Sequence, residues 1–537
     1  MSFPHRVAGL ASLLVLTGAV VVACVGDDPA ISGTTPGTDA GSESSTATDG
    51  QVNDGSGPTG DGGGGDADAA DVPPNATGTV KFVVTMVGDG SPSIFGNAVA
   101  FDGLGNVYVG GGYKSASAID LGNGKSLPAN NTQWDGFIAK FDATGKCQWG
   151  IVLDGTDDGQ KQIFSLAAAA NGEVIFAADT GGATSVKLDG ASVAGNGAND
   201  IAIGRVNGNG QQVWLRTLAS AGYEFPEAIA VDSKGRIALT GKYIRDTATD
   251  RAFDGVTANP PVHPNPIGFV ALLDSNGVTT ALKAFPNTDN GASSVVNPHS
   301  VAFAPDGNIV VGGEFTGAMD LRYGEAASQF ATSAGNNDAW IAKLDTTTNK
   351  IIWAQAFGGA SADNIHGVAV DRSGNVTATF NYGSALTIGA ANLPAPQGFT
   401  DVGIVHFDPN GGMASVLSYG SAQSDVPTKI AVDRWGEPIV VGLMGATLTF
   451  GTKVATALGG GGDGFIAKLS PAGAGLWAYG VGGAANNDQI NAVSVDDKGQ
   501  VAAVGTLGGG GSPITLFGTT VNVGPGKYAA FLAVTSP

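Results

Sequence analysis

Three side chains raise the question of chemistry. Glu227, His299 and His366 stand at one equivalent place in three successive copies of a repeated unit, two residues ahead of a strand. Two imidazoles and a carboxylate are a donor set suited to a transition-metal ion such as zinc. The competing reading makes each an independent loop residue, because metal–ligand bonds of about 2 Å require donors on neighbouring units to converge closely. No second constellation competes with these three. The chain contains no nucleophile elbow, no HExxH and no phosphate-binding glycine loop. Its Asp/Gly-rich N-terminal stretch lacks the D-x-D-x-D-G order and closing Glu of a calcium loop. No cofactor is expected.

The elements that must position these residues come from an internal repeat. The segment "VAFDGLGNVYVGG" at Val99 returns at Leu166, Ile229, Val301, Val368, Ile430 and Val493, at spacings of 67, 63, 72, 67, 62 and 63 residues. Each copy reads as strand, tight turn, strand, with the two strands called a and b. The turn glycine is Gly105, Gly172, Gly235, Gly307, Gly374, Gly436 or Gly499. A third strand, c, follows in each copy, as in "DGFIAKFD" at Asp135 and "DGFIAKLS" at Asp463. A fourth, d, carries Trp149, Trp214, Ala281, Trp353, Ser415 or Trp477, and the last copy lacks it. The missing strand is at the other end of the domain, because Gly78 and Phe82 repeat the spacing of Gly145 and Trp149. The expected fold is all-β: a single seven-bladed β-propeller of four-stranded blades, closed when Val80 to Val87 joins the last blade. Closure removes the open sheet ends that a linear stack must cap.

Two further patterns bear on the ring. The second residue of each strand a is small, Ala100, Ala167, Ala230, Ala302, Ala369, Ala431 or Ser494, as crowding near an axis demands. The position two residues before strand a, held by Asn97, Phe164, Glu227, His299, His366, Thr428 and Asn491, is expected to line the channel mouth. Between strands b and c lies an unusually long excursion with an apolar-x-apolar stretch, such as "TLTFGTKV" at Thr447, read as an extra hairpin per blade. These hairpins either build a broad cup on the loop face or cover blade edges.

The stretches "DGFIAKLSPAGAGLWAYGVGG" and "VAVDRSGNV" resemble the SBBP-type β-propeller repeat of bacterial envelope and secreted proteins, over about Thr77 to Pro537. The resemblance implies a propeller and an envelope setting, and it implies little about activity.

Location is read from the N-terminus. Arg6 followed by the apolar run Val7 to Val22 is a secretory signal, residues 1–23. Its end, Val21-Val22-Ala23-Cys24, resembles a bacterial lipobox, so Cys24 is the expected lipidation site. Val25 is not the Asp that retains lipoproteins in the inner membrane of enteric bacteria, which favours the outer membrane or cell surface. Residues 24–76 form an acidic Gly/Ser/Asp tether with ten acids between Asp27 and Asp71 and no Lys or Arg. Such a segment cannot bury enough apolar surface to order itself, and its root-mean-square reach is on the order of 40 Å. Residues 77–537 are the propeller. With Cys24 acylated, Cys147 has no disulfide partner and is an inert strand residue. The net charge of −21 argues against nucleic acid as a partner.

The expected protein is a monomeric, lipid-anchored envelope module that is not an enzyme and binds or scaffolds a protein or glycan on its loop face. The alternative is a propeller-type extracellular glycan hydrolase or lyase. Anchoring has a direct check. Cys24→Ala is expected to abolish lipid labelling and release the protein from the membrane fraction, and undiminished labelling of that variant would refute the assignment.

Overall fold

A computed structural model describes residues 76–537 apart from short stretches at 89–93, 156–159, 184, 196–198, 220–221, 245–251, 259–264, 290–293, 485–486, 510–512 and 526. The signal segment, Cys24 and nearly all of the tether lie outside the described residues. Among the described residues, seven four-stranded antiparallel blades form, two of them extended to six strands by a hairpin, and no helix does. Blade 1 shows the plan. Strands a to d are Ile94–Phe101, Val107–Ser115, Asn130–Phe141 and Cys147–Gly155, in that order across the sheet. Blades 2 to 6 repeat it over 162–218, 223–285, 295–357, 364–419 and 425–483. Blade 7 takes Gln489–Val495, Val501–Gly508 and Tyr528–Thr535 as strands a to c, and Val80–Val87 as strand d.

Burial explains the residue choice in each strand. Strand c lies between neighbours in its own sheet and has blades on both faces. In blade 6 all seven residues of Asp463–Leu469 are buried, so the strand reads as a continuous apolar run. Strand d is at the rim, and Lys350–Phe357 mixes exposed and buried positions. Strands a of successive blades pack on one another, and the small residues Ala100, Ala167 and Ala369 are fully buried there. The a–b turn glycines have φ between 76° and 83°, a conformation that strains any residue with a Cβ. The turn aspartates work locally: Asp371 Oδ1 accepts from the backbone N–H of Ser373 and Asn375 at 2.9 and 2.8 Å. Cys147 is buried, and burial pushes its thiol up to about 11.

The seam is closed as the repeat spacing implies. Val80–Val87 pairs antiparallel with Ala529 to Thr535. The missing covalent turn is replaced by hydrogen bonds. Thr77 and Gly78 N–H donate to Pro537 O at 2.8 and 3.0 Å, and Ser536 N–H donates to Thr79 O at 2.8 Å. Gly78 then acts as the c–d turn glycine of blade 7. The Trp477 ring from blade 6 lies so close that a Cβ on Gly78 would stand 2.7 Å from it. Phe82 covers Gly145 in the same way, as Trp149 covers Gly210 and Trp353 covers Gly411. Each outer aromatic therefore seats on the next blade's turn, and the seam copies the other junctions.

The b–c excursions do form hairpins, including Ile119–Gly122 with Lys125–Leu127 and Leu448–Phe450 with Lys453–Ala455. They do not rise into a cup. Val186 to Leu188 extends the preceding blade by pairing with Leu153 to Gly155, and Ile514 to Leu516 pairs with Val481 to Gly483. Gly150 has no side chain because Leu121 of the hairpin occupies the space, 2.4 Å from a hypothetical Cβ. The hairpins clasp the rim and cover outer edges that would otherwise pair with other chains.

The seam can be tested by truncation. Deleting residues 77–87 is expected to expose the edge of Tyr528–Thr535 and drive the chain into aggregates on size-exclusion chromatography. Phe82→Ala, which leaves the strand in place, should cost only about 2 kcal/mol in denaturant unfolding, since Phe82 is partly exposed. A monodisperse truncated chain of parental stability would show that the strand is dispensable for closure.

Candidate functional site

The residues expected just ahead of strand a lie within it. In every blade the pairing of strands a and b skips one residue, and the skipped residues are Asn97, Phe164, Glu227, His299, His366, Thr428 and Asn491. A β-bulge leaves its extra residue out of the ladder and re-aims the side chain. Strand a begins earlier than the sequence period suggests, because that extra residue breaks the alternation.

The seven bulges bridge blades in two ways. On one side of the ring the links are neutral. Thr428 Oγ1 donates to Ile490 O at 2.6 Å, Asn491 Nδ2 to Gly96 O at 2.7 Å and Asn97 Nδ2 to Ile163 O at 3.1 Å. Each reaches the carbonyl just before the next blade's bulge. On the other side the links are ionic. His299 lies between two carboxylates, with Nδ1 3.5 Å from Glu227 and Nε2 3.6 Å from Glu314. Lys242 pairs with Glu227 at 3.2 Å, and Asn297 Nδ2 donates to Glu314 at 2.9 Å. His366 stacks beside His299 with ring centroids 6.1 Å apart, and its Nε2 meets Asn381 Oδ1 at 2.6 Å. Lys429 completes the set by donating to His299 O at 3.2 Å and His366 O at 2.8 Å.

Charge follows from these contacts. Burial opposes a charged His299, but Glu227 and Glu314 outweigh it and raise the imidazole to about 9. Burial likewise opposes Glu314, yet His299 and Asn297 hold its carboxyl near 2. His366 goes the other way: burial and the neighbouring imidazolium push it down to about 4. Burial lowers the Lys429 ammonium to about 7, against the attraction of Glu227. The cluster thus sets an imidazolium beside a neutral imidazole, with an amine that burial pushes toward its neutral form. Glu227, His299, His366 and Lys429 are 6, 5, 7 and 2% exposed, so they meet one another and not solvent.

The expected metal set of Glu227, His299 and His366 is brought together only in part. The structure brings the first two together, but a carboxylate faces each ring nitrogen of His299, and His366 Nε2 is taken by Asn381. Among the described residues no group of three or more His, Cys, Asp and Glu is arranged to hold a metal ion.

Sequence reading missed Lys429, Glu314, Lys242 and Asn381, although the repeat contains the signal. The residue after each bulge is Ala98, Ser165, Ala228, Ser300, Gly367, Lys429 or Ala492, a column of small residues with one long amine. Lys242, Glu314 and Asn381 share one register position of strand b.

The opposed shifts give a test by linkage. The folded pKa of His299 is raised from 6.5 to about 9, so its contribution is complete below 6.5 and lost as pH rises through 9. The folded pKa of Lys429 is lowered from 10.5 to about 7, so its burial penalty fades as pH rises between those values. In urea unfolding, the parent's advantage over His299→Asn should shrink by up to about 3 kcal/mol between pH 6.5 and 9. Its standing relative to Lys429→Met should improve from pH 7 to 10. Slopes of the same sign for both variants would overturn the charge states of His299 and Lys429.

Comparison with known proteins agrees with the repeat. The SBBP β-propeller repeat matches residues 84–111, beginning in strand d of blade 7 and running through strands a and b of blade 1. No curated protein matches the chain. Solved structures are similar only weakly. A protein of unknown function from Bacteroides caccae is 11% identical with a TM-score of 0.27, over 63% of this chain and 93% of that one. The Pyrococcus horikoshii acylaminoacyl peptidase is 8% identical with a TM-score of 0.36, over 79% of this chain and 49% of its own, so this chain spans about half of that enzyme. Prolyl oligopeptidase B from Galerina marginata is 8% identical with a TM-score of 0.38, over 79% and 48%. Likenesses of this size carry no inference about activity. The repeat match lies within seven blades built on one four-strand plan, a β-propeller that carries an SBBP repeat.

Proposed function

We propose that the protein is a lipid-anchored module of the bacterial cell envelope that binds or scaffolds a protein or glycan through the rim of its loop face. The lipobox-like Val21-Val22-Ala23-Cys24 and the acidic tether support the anchor. A tether entering at Thr77 joins the side of blade 7 that carries the a–b and c–d turns. The opposite face, with the b–c hairpins and d–a loops, is then turned away from the attachment point.

One observation carries the binding reading. The axial cluster of Glu227, His299, His366 and Lys429 is buried, whereas the rim of blade 4 has a cavity of about 430 Å³ between its hairpin and strand d. That volume is in the range of small-ligand sites. Phe330 borders it and is 68% exposed, an uncommon exposure for a ring of that size. Gln329, Thr332, Gln355 and Thr387 supply amides and hydroxyls around it. An aromatic face with convergent amides and hydroxyls suits a sugar ring or a peptide segment.

The test uses the unlipidated Cys24→Ala chain, so that anchoring and binding are scored separately. Binding to a glycan panel and to envelope fractions is measured for this chain and for its Phe330→Ala derivative. The proposal expects retention of at least one class of ligand, at least about tenfold weaker in the derivative. Equal retention by both chains would remove the rim cavity as the site.

A further inference from the structure

The junctions between blades 4 and 5, 5 and 6, and 6 and 7 share a feature apart from the axis. Strand c opens with Asp338, Asp401 or Asp463. Each carboxylate lies over a glycine at the end of strand d. A Cβ would stand 2.3 Å from Asp338 Cγ at Gly358, 2.0 Å from Asp401 Oδ2 at Gly420 and 1.9 Å from Asp463 Oδ1 at Gly482. The N–H of the following residue donates to a second carboxylate, at or just before the start of the next blade's strand a. Gly359 reaches Asp363 at 2.6 Å, Ser421 reaches Asp425 at 2.6 Å and Gly483 reaches Asp488 at 3.0 Å. Two carboxylates thus meet at one dipeptide step, three times over.

All six side chains are buried: Asp363, Asp425 and Asp488 are fully so, and Asp338, Asp401 and Asp463 are 4, 2 and 2% exposed. Oδ1 of Asp338, Asp401 and Asp463 has no hydrogen-bond partner, and neither has Oδ1 of Asp363. Burial, reinforced by the facing carboxylate, raises Asp363 and Asp425 to about 6 and Asp488 to about 7. A buried carboxylate pair with unused oxygens is costly unless a counter-charge is supplied.

The junction between blades 1 and 2 supplies one. Lys161 N–H donates to Trp134 O at 2.9 Å, the same backbone bond that Asp363 N–H makes to Asn337 O at 2.7 Å. Lys161 therefore occupies the second-carboxylate position. Its side chain is fully buried, with Nζ 2.7 Å from a hypothetical Cβ on Gly155; burial and Asp154 raise Asp135 to about 6, and the Lys161 charge offsets part of that rise. Where the repeat places an ammonium in one junction, three others place a second aspartate, and the junction between blades 2 and 3 places Glu224 beside Asp200, both of which have further partners.

We propose that each of these three junctions binds one calcium ion between its paired carboxylates, Asp338 with Asp363, Asp401 with Asp425, and Asp463 with Asp488, pinning consecutive blades together. Carboxylate oxygens without imidazole or thiolate suit a hard cation, and loop carbonyls and water would complete the six to eight oxygens that Ca²⁺ takes. The ion replaces the Lys161 ammonium of the other junction and needs no residue of the axial cluster; at the junction between blades 4 and 5, Asp338 also lines the rim cavity beside Phe330, whereas the other two pairs lie apart from it.

Equilibrium dialysis of the EDTA-treated whole chain against radiolabelled Ca²⁺ tests this. The expected stoichiometry is three ions per chain, falling to two in each of Asp363→Asn, Asp425→Asn and Asp488→Asn. The melting temperature of the parent should rise with Ca²⁺ at pH 7.5. A second arm needs no loss of a site: Lys161→Asp recreates the acidic pair between blades 1 and 2 and should add a fourth ion. If the parent binds no Ca²⁺ at millimolar concentration, or is stabilised by lowering the pH to 5.5 while Ca²⁺ has no effect, the pairs share protons and the proposal fails.

Discussion

A four-stranded blade has two edges and two faces, and none of them is stable in water alone. The ring is the constraint on which the rest of this structure depends. Each face is covered by the next blade, so seven blades leave nothing uncovered only if the seventh meets the first. That last contact lacks a covalent turn, yet it reproduces the others in detail. Trp477 seats on Gly78 and Phe82 on Gly145, as Trp149 seats on Gly210. The chain ends supply Pro537 O and the N–H groups of Thr77 and Gly78 where a turn would stand. Closure at the seam thus uses the aromatic-on-glycine contact found at most other junctions, the exceptions being blade 3, with Ala281 on its strand d, and blade 5, whose Leu417 lies over Gly473.

Closing the ring brings seven inner strands together, and their bulges decide what fills the centre. Asn97, Thr428 and Asn491 cross blade boundaries with neutral hydrogen bonds. Glu227, His299 and Lys429 cross them with charge. The ionic half is the more exacting, because removing one partner leaves a buried charge unmatched. The fold itself is indifferent to the identity of the bulge residue, since Phe164 takes the same place in blade 2. The ionic side is therefore a local elaboration of the plan.

The repeat was legible in the sequence because its signals are short-range. A turn glycine, a buried strand c and an aromatic four residues past a glycine recur at fixed offsets, and even the displaced strand Val80–Val87 kept its offset between Gly78 and Phe82. The axis was only half legible. Glu227, His299 and His366 stood out by residue type and column, but their purpose depends on Glu314 and Asn381, which arrive from strand b only once the register is known. The bulge that re-aims them also hid the first half of strand a by breaking its alternation. Lys429 was invisible for another reason: it serves carbonyls of two other blades, and no local pattern records a contact to residues 63 and 130 positions away. The hairpins were found as elements but not placed, because the glycines that receive them, such as Gly150, lie on strands elsewhere in the sequence.

The seam also determines how the domain would respond to being pulled. Chain entering at Thr77 runs directly into Val80–Val87, whose ladder hydrogen bonds to Ala529–Thr535 lie across the strand direction. A load arriving along that strand is carried by all of its rungs together, in shear, and cannot open them one at a time like a zipper. The side chain that must slip first, Phe82, is the one wedged over Gly145 of the first blade. Tension on the N-terminal chain is thereby passed to both blades that flank the break in the ring, and the weakest covalent point of the fold becomes a place built to bear force.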